Sequence, residues 1–251
     1  DFISRFNLGI LGSYQSRSLT LRSGFAFDAE VFPDHPELDN AQARRDASLE
    51  YQYLATPVLT LSGRGAFSET QRPKELNIET GLEGGRGRAR QFSFSPSIAY
   101  RFDPLTGGTG DYAFTRNERT GGVSTHTHTA NLSLNRRFTP QDRGNLGYSY
   151  GLFLSEGNNS TTSHAFTLGW VRELSPITEI TLQAGPRFSD GTKDAQVSAA
   201  ITQRLARGSL SFAYRRSLTT VVGQAGTATT DSVSASASYE PLRLLQVSAA
   251  I

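Results

Sequence analysis

Cysteine and methionine are both absent from the 251 residues, and tryptophan occurs once. Without cysteine there is no disulfide scaffold, no thiolate metal cluster and no thiol nucleophile. Without methionine, residue 1 is expected not to be a native start but to follow a removed or excised segment, as a cleaved signal peptide would leave it. Charge of one sign is missing too. The 25 basic and 23 acidic residues leave a net +2, too little for a nucleic-acid-binding field. No apolar run approaches the ~20 residues that a membrane-spanning helix needs, and mean hydropathy is −0.38. These last absences do not exclude a membrane, because spanning β-strands alternate lipid-facing with lumen-facing residues and average out polar.

What is present is alternation with a period of two. In 123–138 the odd positions Thr125, Thr127, Thr129, Asn131, Ser133, Asn135 and Arg137 are polar, while Ala130, Leu132, Leu134 and Phe138 occupy even ones. In 91–103 Phe92, Phe94, Ile98, Tyr100 and Phe102 alternate with Ser93, Ser95, Ser97, Ala99 and Arg101. The same split predicts about fourteen strands, near 2–14, 18–32, 43–55, 57–70, 74–86, 91–103, 123–138, 144–155, 162–173, 178–189, 194–206, 208–222, 230–240 and 242–251. These runs are roughly twice the ~5–6 residues of a globular strand and match the ~9–11 of a tilted transmembrane one. The polar face is small and hydroxylic, as in Ser232, Ser234, Ser236 and Ser238. A soluble sandwich or solenoid would need bulky side chains there to fill a core.

The connections alternate in length. Short ones fall at Gln15–Arg17, Ala55–Pro57, Thr139–Arg143, Leu174–Ile177, Ala206–Arg207 and Pro241; longer ones at Pro33–Ala41, Gln71–Lys74, Asp103–Gly122, Glu156–Thr161 and Val222–Thr229. Short turns on one side and long loops on the other are the outer-membrane pattern, the short turns being periplasmic. Aromatics on the apolar parity, Tyr14, Phe27, Tyr53, Phe67, Tyr100, Phe138, Tyr150, Trp170, Phe188, Tyr214 and Tyr239 among them, sit near turns as an aromatic girdle requires. The predicted fold is therefore all-β, a single antiparallel up-and-down transmembrane β-barrel domain over 1–251. Counting sides puts both ends of the chain on the loop side, so the full barrel is expected to have 16 strands or more, an aqueous-lumen size, the alternative being closure by direct pairing of 2–14 with 242–251.

The phrase Leu174-Ser175-Pro176 followed by Thr178, Ile180 and Leu182 resembles the hairpins of bacterial outer-membrane β-barrels associated with exopolysaccharide and protein-sorting loci. It is also similar to the barrel sheaths of porin–cytochrome conduits. The resemblance implies a bacterial outer-membrane location and a channel or scaffold role, and it carries over no catalytic residue.

The lumen-lining candidates, by parity, are Arg22, Asp28, Glu30, Glu50, Arg64, Arg101, Arg137, Arg187, Arg204 and Arg215, with Arg5, Asp46, Glu79 and Glu83 beside them. Opposed basic and acidic clusters would select solutes; mutual neutralisation would leave a plain hydrated wall. In the stretch 103–122 Tyr112, Phe114, Arg116 and Arg119 are candidates for a constricting or partner-binding loop, against a mobile surface loop or a hairpin that extends its flanking strands beyond the membrane. His126 and His128 in THTHT lack further metal ligands nearby. Ser124 with His126 offers an outward-facing hydrolase alternative that has no assignable third residue. GLEGGRGRAR at 81–90 opens no helix and lacks the lysine of a phosphate loop, and reads as the end of a strand and a basic turn.

The expectation is a non-enzymatic porin-like conduit for polar solutes or polymer, without cofactor or metal. Its surroundings are outer-membrane lipid and lipopolysaccharide, not nucleic acid. The rival is a scaffold plugged by a periplasmic or lumen-filling partner, a cytochrome or an export lipoprotein.

Overall fold

The computed structural model describes residues 4–31, 44–71, 87–157, 159–219, 227–242 and 245–250. They form fourteen strands and turns, and no helix. The first four are β1 (Ser4–Gln15), β2 (Leu19–Val31), β3 (Arg44–Thr56) and β4 (Leu59–Thr70). Next come β5 (Ala89–Arg101), β6 (Thr106–Arg119), β7 (Thr125–Arg137), β8 (Asp142–Ser155) and β9 (Asn159–Ser175). The series ends with β10 (Thr178–Ser189), β11 (Thr192–Leu205), β12 (Gly208–Thr219), β13 (Ala228–Leu242) and β14 (Leu245–Ala250). Each strand pairs antiparallel with its sequence neighbours, giving one sheet in the order β1 to β14, and within the described residues β1 and β14 each have a single partner.

Antiparallel pairing places opposite residues on the same face, so the alternation in each strand propagates across the sheet. One row reads Ile98, Gly110, Leu132, Tyr148 and Phe166 on β5 to β9. A row on the other face reads Ser62, Ser97, Asp111, Asn131, Ser149, Ala165, Arg187 and Asp194 on β4 to β11. The chain thus has one apolar and one polar face. Among the described residues only Ala89, Phe153 and Ala165 are buried apolar side chains, so no sandwich core exists. Leu132 is 62 % and Leu168 71 % exposed, within a continuous apolar belt that water would not tolerate.

Two expectations need correction. The stretch 103–122 is not a loop, because Thr106–Arg119 is strand β6, paired along its length with β5 and β7. Tyr112, Phe114 and Arg116 share the apolar face of β6 by register, and Arg119 lies on the polar one. The strand was hidden because Gly107, Gly108 and Gly110 carry no side chains to show the alternation. Its neighbours fill the gap: the Phe102 ring lies 3.0 Å from where a Cβ of Gly108 would sit, and Leu132 and Ile98 lie 3.3 and 3.4 Å from that of Gly110. The expected strand 74–86 lies outside the described residues, so the match of fourteen with fourteen is a coincidence of two different sets.

The loop-length rule also needs adjustment. One side has only short connections, such as 16–18, 57–58, 102–105, 138–141 and 176–177. The other side mixes the longer 32–43 and 71–88 with tight turns at 120–124 and 190–191. At the latter, Asp190 (φ 42°) and Gly191 (φ 82°) both adopt the left-handed conformation that a two-residue hairpin demands.

In the newly recognised turn 102–105, Asp103 Oδ1 accepts the backbone N–H groups of Leu105 at 2.7 Å and Thr106 at 2.8 Å. Led by the Leu105 N–H, these bonds hold the Asp103 carboxyl below its usual pKa. A depressed folded pKa stabilises above the unfolded value of ~3.9 and is lost as pH falls through the folded value. Asp103→Ala is therefore expected to be less stable than the native chain at pH 7, with a narrower gap at an acid pH below the unfolded value of ~3.9. Urea unfolding at both pH values checks this, and a gap independent of pH would contradict it.

Candidate functional site

Every lumen candidate within the described residues falls on the polar face by register. Arg22 faces Glu50, Glu50 faces Arg64, and Arg64 faces Ser95 on β2 to β5. Arg5 and Glu30 are register partners on β1 and β2. Glu79 and Glu83 lie outside the described residues. Arg101, Arg137 and Arg204 stand at the short-turn end of the same face, and Arg101 donates to the Pro57 carbonyl at 2.8 Å, tying two turns together.

The wall is stitched by hydrogen bonds between side chains of neighbouring strands. Asp111 accepts from Asn131 at 2.7 Å, and Asn131 accepts from Ser149 at 2.6 Å. Hydroxyl pairs join Ser62 to Ser97 at 2.8 Å, Thr109 to Ser133 at 2.7 Å and Ser211 to Ser236 at 2.6 Å. Ion pairs follow the same short-range rule. Arg64 meets Glu50 at 3.3 Å, Arg44 meets Asp46 at 2.5 Å, and Arg143 meets Glu179 at 2.8 Å and Glu173 at 3.4 Å. Asp28 accepts from Asn7 at 2.5 Å. Exposed pairs of this kind are worth only ~0–1 kcal/mol each, so their effect is local charge cancellation more than stability. Arg22, Glu50 and Arg64 line a polar pocket of about 420 Å³, with Thr20, Ser62 and Ser97 around them.

Arg143, Glu173, Glu179, Asp111 and Asp194 also belong to this wall and went unnamed in the sequence. The parity rule covers them all, but Asp111 lay in the stretch read as a loop and the others sit close to turns. Phe153, 9 % exposed on the polar face, broke the rule, its ring lying against Gly151.

On the apolar face, polar atoms appear both within the belt and at its ends. Tyr112 Oη bonds His128 Nδ1 at 2.6 Å, and Tyr148 Oη bonds His164 Nδ1 at 2.9 Å. Trp170 Nε1 donates to Asp142 at 3.1 Å while the Arg172 guanidinium lies 5.8 Å from its ring. Glu69 gathers Arg90 at 2.6 Å, Arg88 at 2.7 Å and Arg45 at 3.3 Å. Arg88 and Arg90, read from the sequence as part of a basic turn, thus clasp a carboxylate at the start of β5. This is the arrangement of an interfacial girdle, an apolar body with a polar tip. The Ser124 backbone N–H donates to Glu156 at 3.2 Å and the His126 ring lies 6.2 Å from Phe114. Among the described residues no hydrogen bond joins Ser124 to His126. Arg116 pairs with Glu118 on its own strand.

No protein-family model and no curated protein matches the chain. Solved structures do. The Pseudomonas aeruginosa ferric enterobactin receptor PfeA, as its R480A/Q482A mutant, is 12 % identical, with a TM-score of 0.56 over 99 % of this chain and 50 % of the receptor. The siderophore receptor PirA of Acinetobacter baumannii is 10 % identical, with a TM-score of 0.56 over 99 % of this chain and 49 % of that one. A loop-deleted form of the Vibrio cholerae outer membrane protein OmpT is 12 % identical, with a TM-score of 0.57 over 77 % of this chain and 61 % of that one. The chain therefore spans about half the length of the receptors it matches. Its fold is that of bacterial outer-membrane β-barrels, all-β, antiparallel and up-and-down.

Proposed function

We propose that the chain resides in a bacterial outer membrane and lines a water-filled conduit for polar solutes or polymer, without catalysing a reaction. One observation carries this. A largely hydroxyl-, amide- and charge-bearing face, interrupted at Leu11 and Phe153, runs across β1 to β13, back to back with an apolar belt of exposed Leu, Phe and Ile. An apolar belt facing lipid and a polar wall facing water give each face the medium its side chains suit. Local cancellation of charge keeps the wall wettable without a deep electrostatic trap, which suits passage better than tight retention.

The test is single-channel conductance of the purified full-length protein in planar bilayers. Discrete ohmic steps are expected. A protein that stays silent alone and conducts only once a co-purifying partner is stripped away would overturn the open-conduit reading in favour of a plugged scaffold.

A further inference from the structure

Four arginines on the polar face pair with an acid. Arg64 has Glu50, Arg44 has Asp46, Arg143 has Glu173 and Glu179, and Arg187 has Asp194. Arg215 in β12, like Arg22, Arg101, Arg137 and Arg204, has no acid within ion-pair distance among the described residues, and it alone of these five is enclosed with several hydroxyls by β13. Its cross-strand neighbours are Ser198 on β11 and Ser232 on β13, and with Ser232, Ala213, Tyr214, Ser217, Thr230 and Ser234 it lines a pocket of about 220 Å³. The two nearby carboxylates are engaged elsewhere. Asp194 binds Arg187 and Arg216, and Asp231 binds Tyr214 Oη at 2.7 Å and Arg216 at 3.7 Å. The connection 220–226, which adjoins this end of β12, contains no acidic residue. Glu240 is eight residues beyond Ser232 on β13, roughly 27 Å at ~3.4 Å per residue.

A guanidinium is a planar fork of donors matched to a carboxylate or phosphate, and hydroxyls around it donate to the remaining oxygens of such a group. The volume is below the ~300–1,000 Å³ of pockets that enclose whole drug-sized ligands, so it suits one anionic group of a larger, hydrated solute. We infer that the Arg215 pocket is a binding site for the carboxylate or phosphate group of a polar solute. This rests on reading the polar face as a lumen and names the class of solute that lumen would favour.

The test is calorimetric titration of the full-length protein in detergent with inorganic phosphate, glucuronate and glucose. The two anions are expected to bind and neutral glucose not to, the stronger anion telling phosphate from carboxylate solutes. Arg215→Gln is expected to weaken anion binding about 10-fold or more, the scale of a charged hydrogen bond. Lys193→Gln, which removes a cation from the opposite face, should change nothing. Retained heat-modifiable gel mobility shows that a variant is folded. If Arg215→Gln does not fold, the double variant Ser232→Ala, Ser234→Ala examines the same pocket and is expected to weaken binding too. Absence of anion binding by the native protein, equal affinity in folded Arg215→Gln, or equal affinity for glucose would overturn the inference. Binding is read without any current crossing the barrel. A protein that binds through Arg215 but never conducts would therefore sink the conduit reading and keep the site; one that conducts with binding indifferent to Arg215 would do the reverse.

Discussion

Arginine at Leu132 or Leu182 is expected to destabilise the folded chain by about 2–4 kcal/mol, whereas arginine at Ser234 is expected to be tolerated. Leu132 sits near the middle of β7 and Leu182 near the middle of β10, both on the apolar face and both open to their surroundings. A guanidinium there faces hydrocarbon, with no acid on that part of the face to meet it. Ser234 lies in β13 on the polar face, where its register partner is Ala213 and Arg215 already sits nearby in water. The measurement is urea-dependent folding in lipid vesicles, followed by the fluorescence of Trp170, the chain's one tryptophan. Equal costs at the two kinds of position would mean that neither face is lipid-exposed.

That asymmetry was legible in the sequence because a strand's period is fixed by its backbone. Once Leu132 and Leu134 share a side with Phe138, and Thr127, Asn131 and Ser133 share the other, only the register to the neighbours remains unknown, and a one-residue slip would bury the wrong set. β6 was not legible for the same reason. Alternation is a property of side chains, and Thr106-Gly107-Gly108-Thr109-Gly110 has too few. Its strand state comes from β5 and β7 on either side and from the Phe102, Ile98 and Leu132 side chains that lie over its glycines.

The charged wall was half legible. Parity shows that Arg22, Glu50 and Arg64 share a face, but not that they are neighbours, because strand pairing is a tertiary fact. The distinction between Arg64, answered by Glu50, and Arg215, ringed by hydroxyls, therefore appears only once the ladder is in place. The same holds for the apolar face. Spacing alone does not mark Glu69, yet three guanidiniums converge on it from β3, β5 and the residue just before β5.

The sharpest local constraint concerns a residue that sequence reasoning passed over. A Cβ on Gly185 in β10 would lie 1.7 Å from the Phe166 carbonyl oxygen and 2.8 Å from the Thr167 Cα on β9. These are backbone atoms of the neighbouring strand, so no side chain can swing aside. The approach is close because Pro186 has no N–H to give, and regular pairing with β9 lapses at Gly185 and Pro186 before resuming at Arg187 opposite Ala165. Gly185→Ala must push β10 off β9 just before Arg187, which is 3 % exposed and held by Asp194 at 2.5 Å. The expected loss is about 3 kcal/mol, the upper part of the range for overpacking. Gly9 provides the matched comparison. It too lies on the polar face of a strand, but a Cβ there meets nothing within 4 Å. Gly9→Ala is expected to be neutral or to stabilise by up to about 1 kcal/mol, since alanine has less chain freedom to lose on folding. The two urea midpoints, measured in the same vesicles, decide the matter: if Gly185→Ala unfolds within experimental error of Gly9→Ala, β9 and β10 do not approach as closely as the ladder indicates.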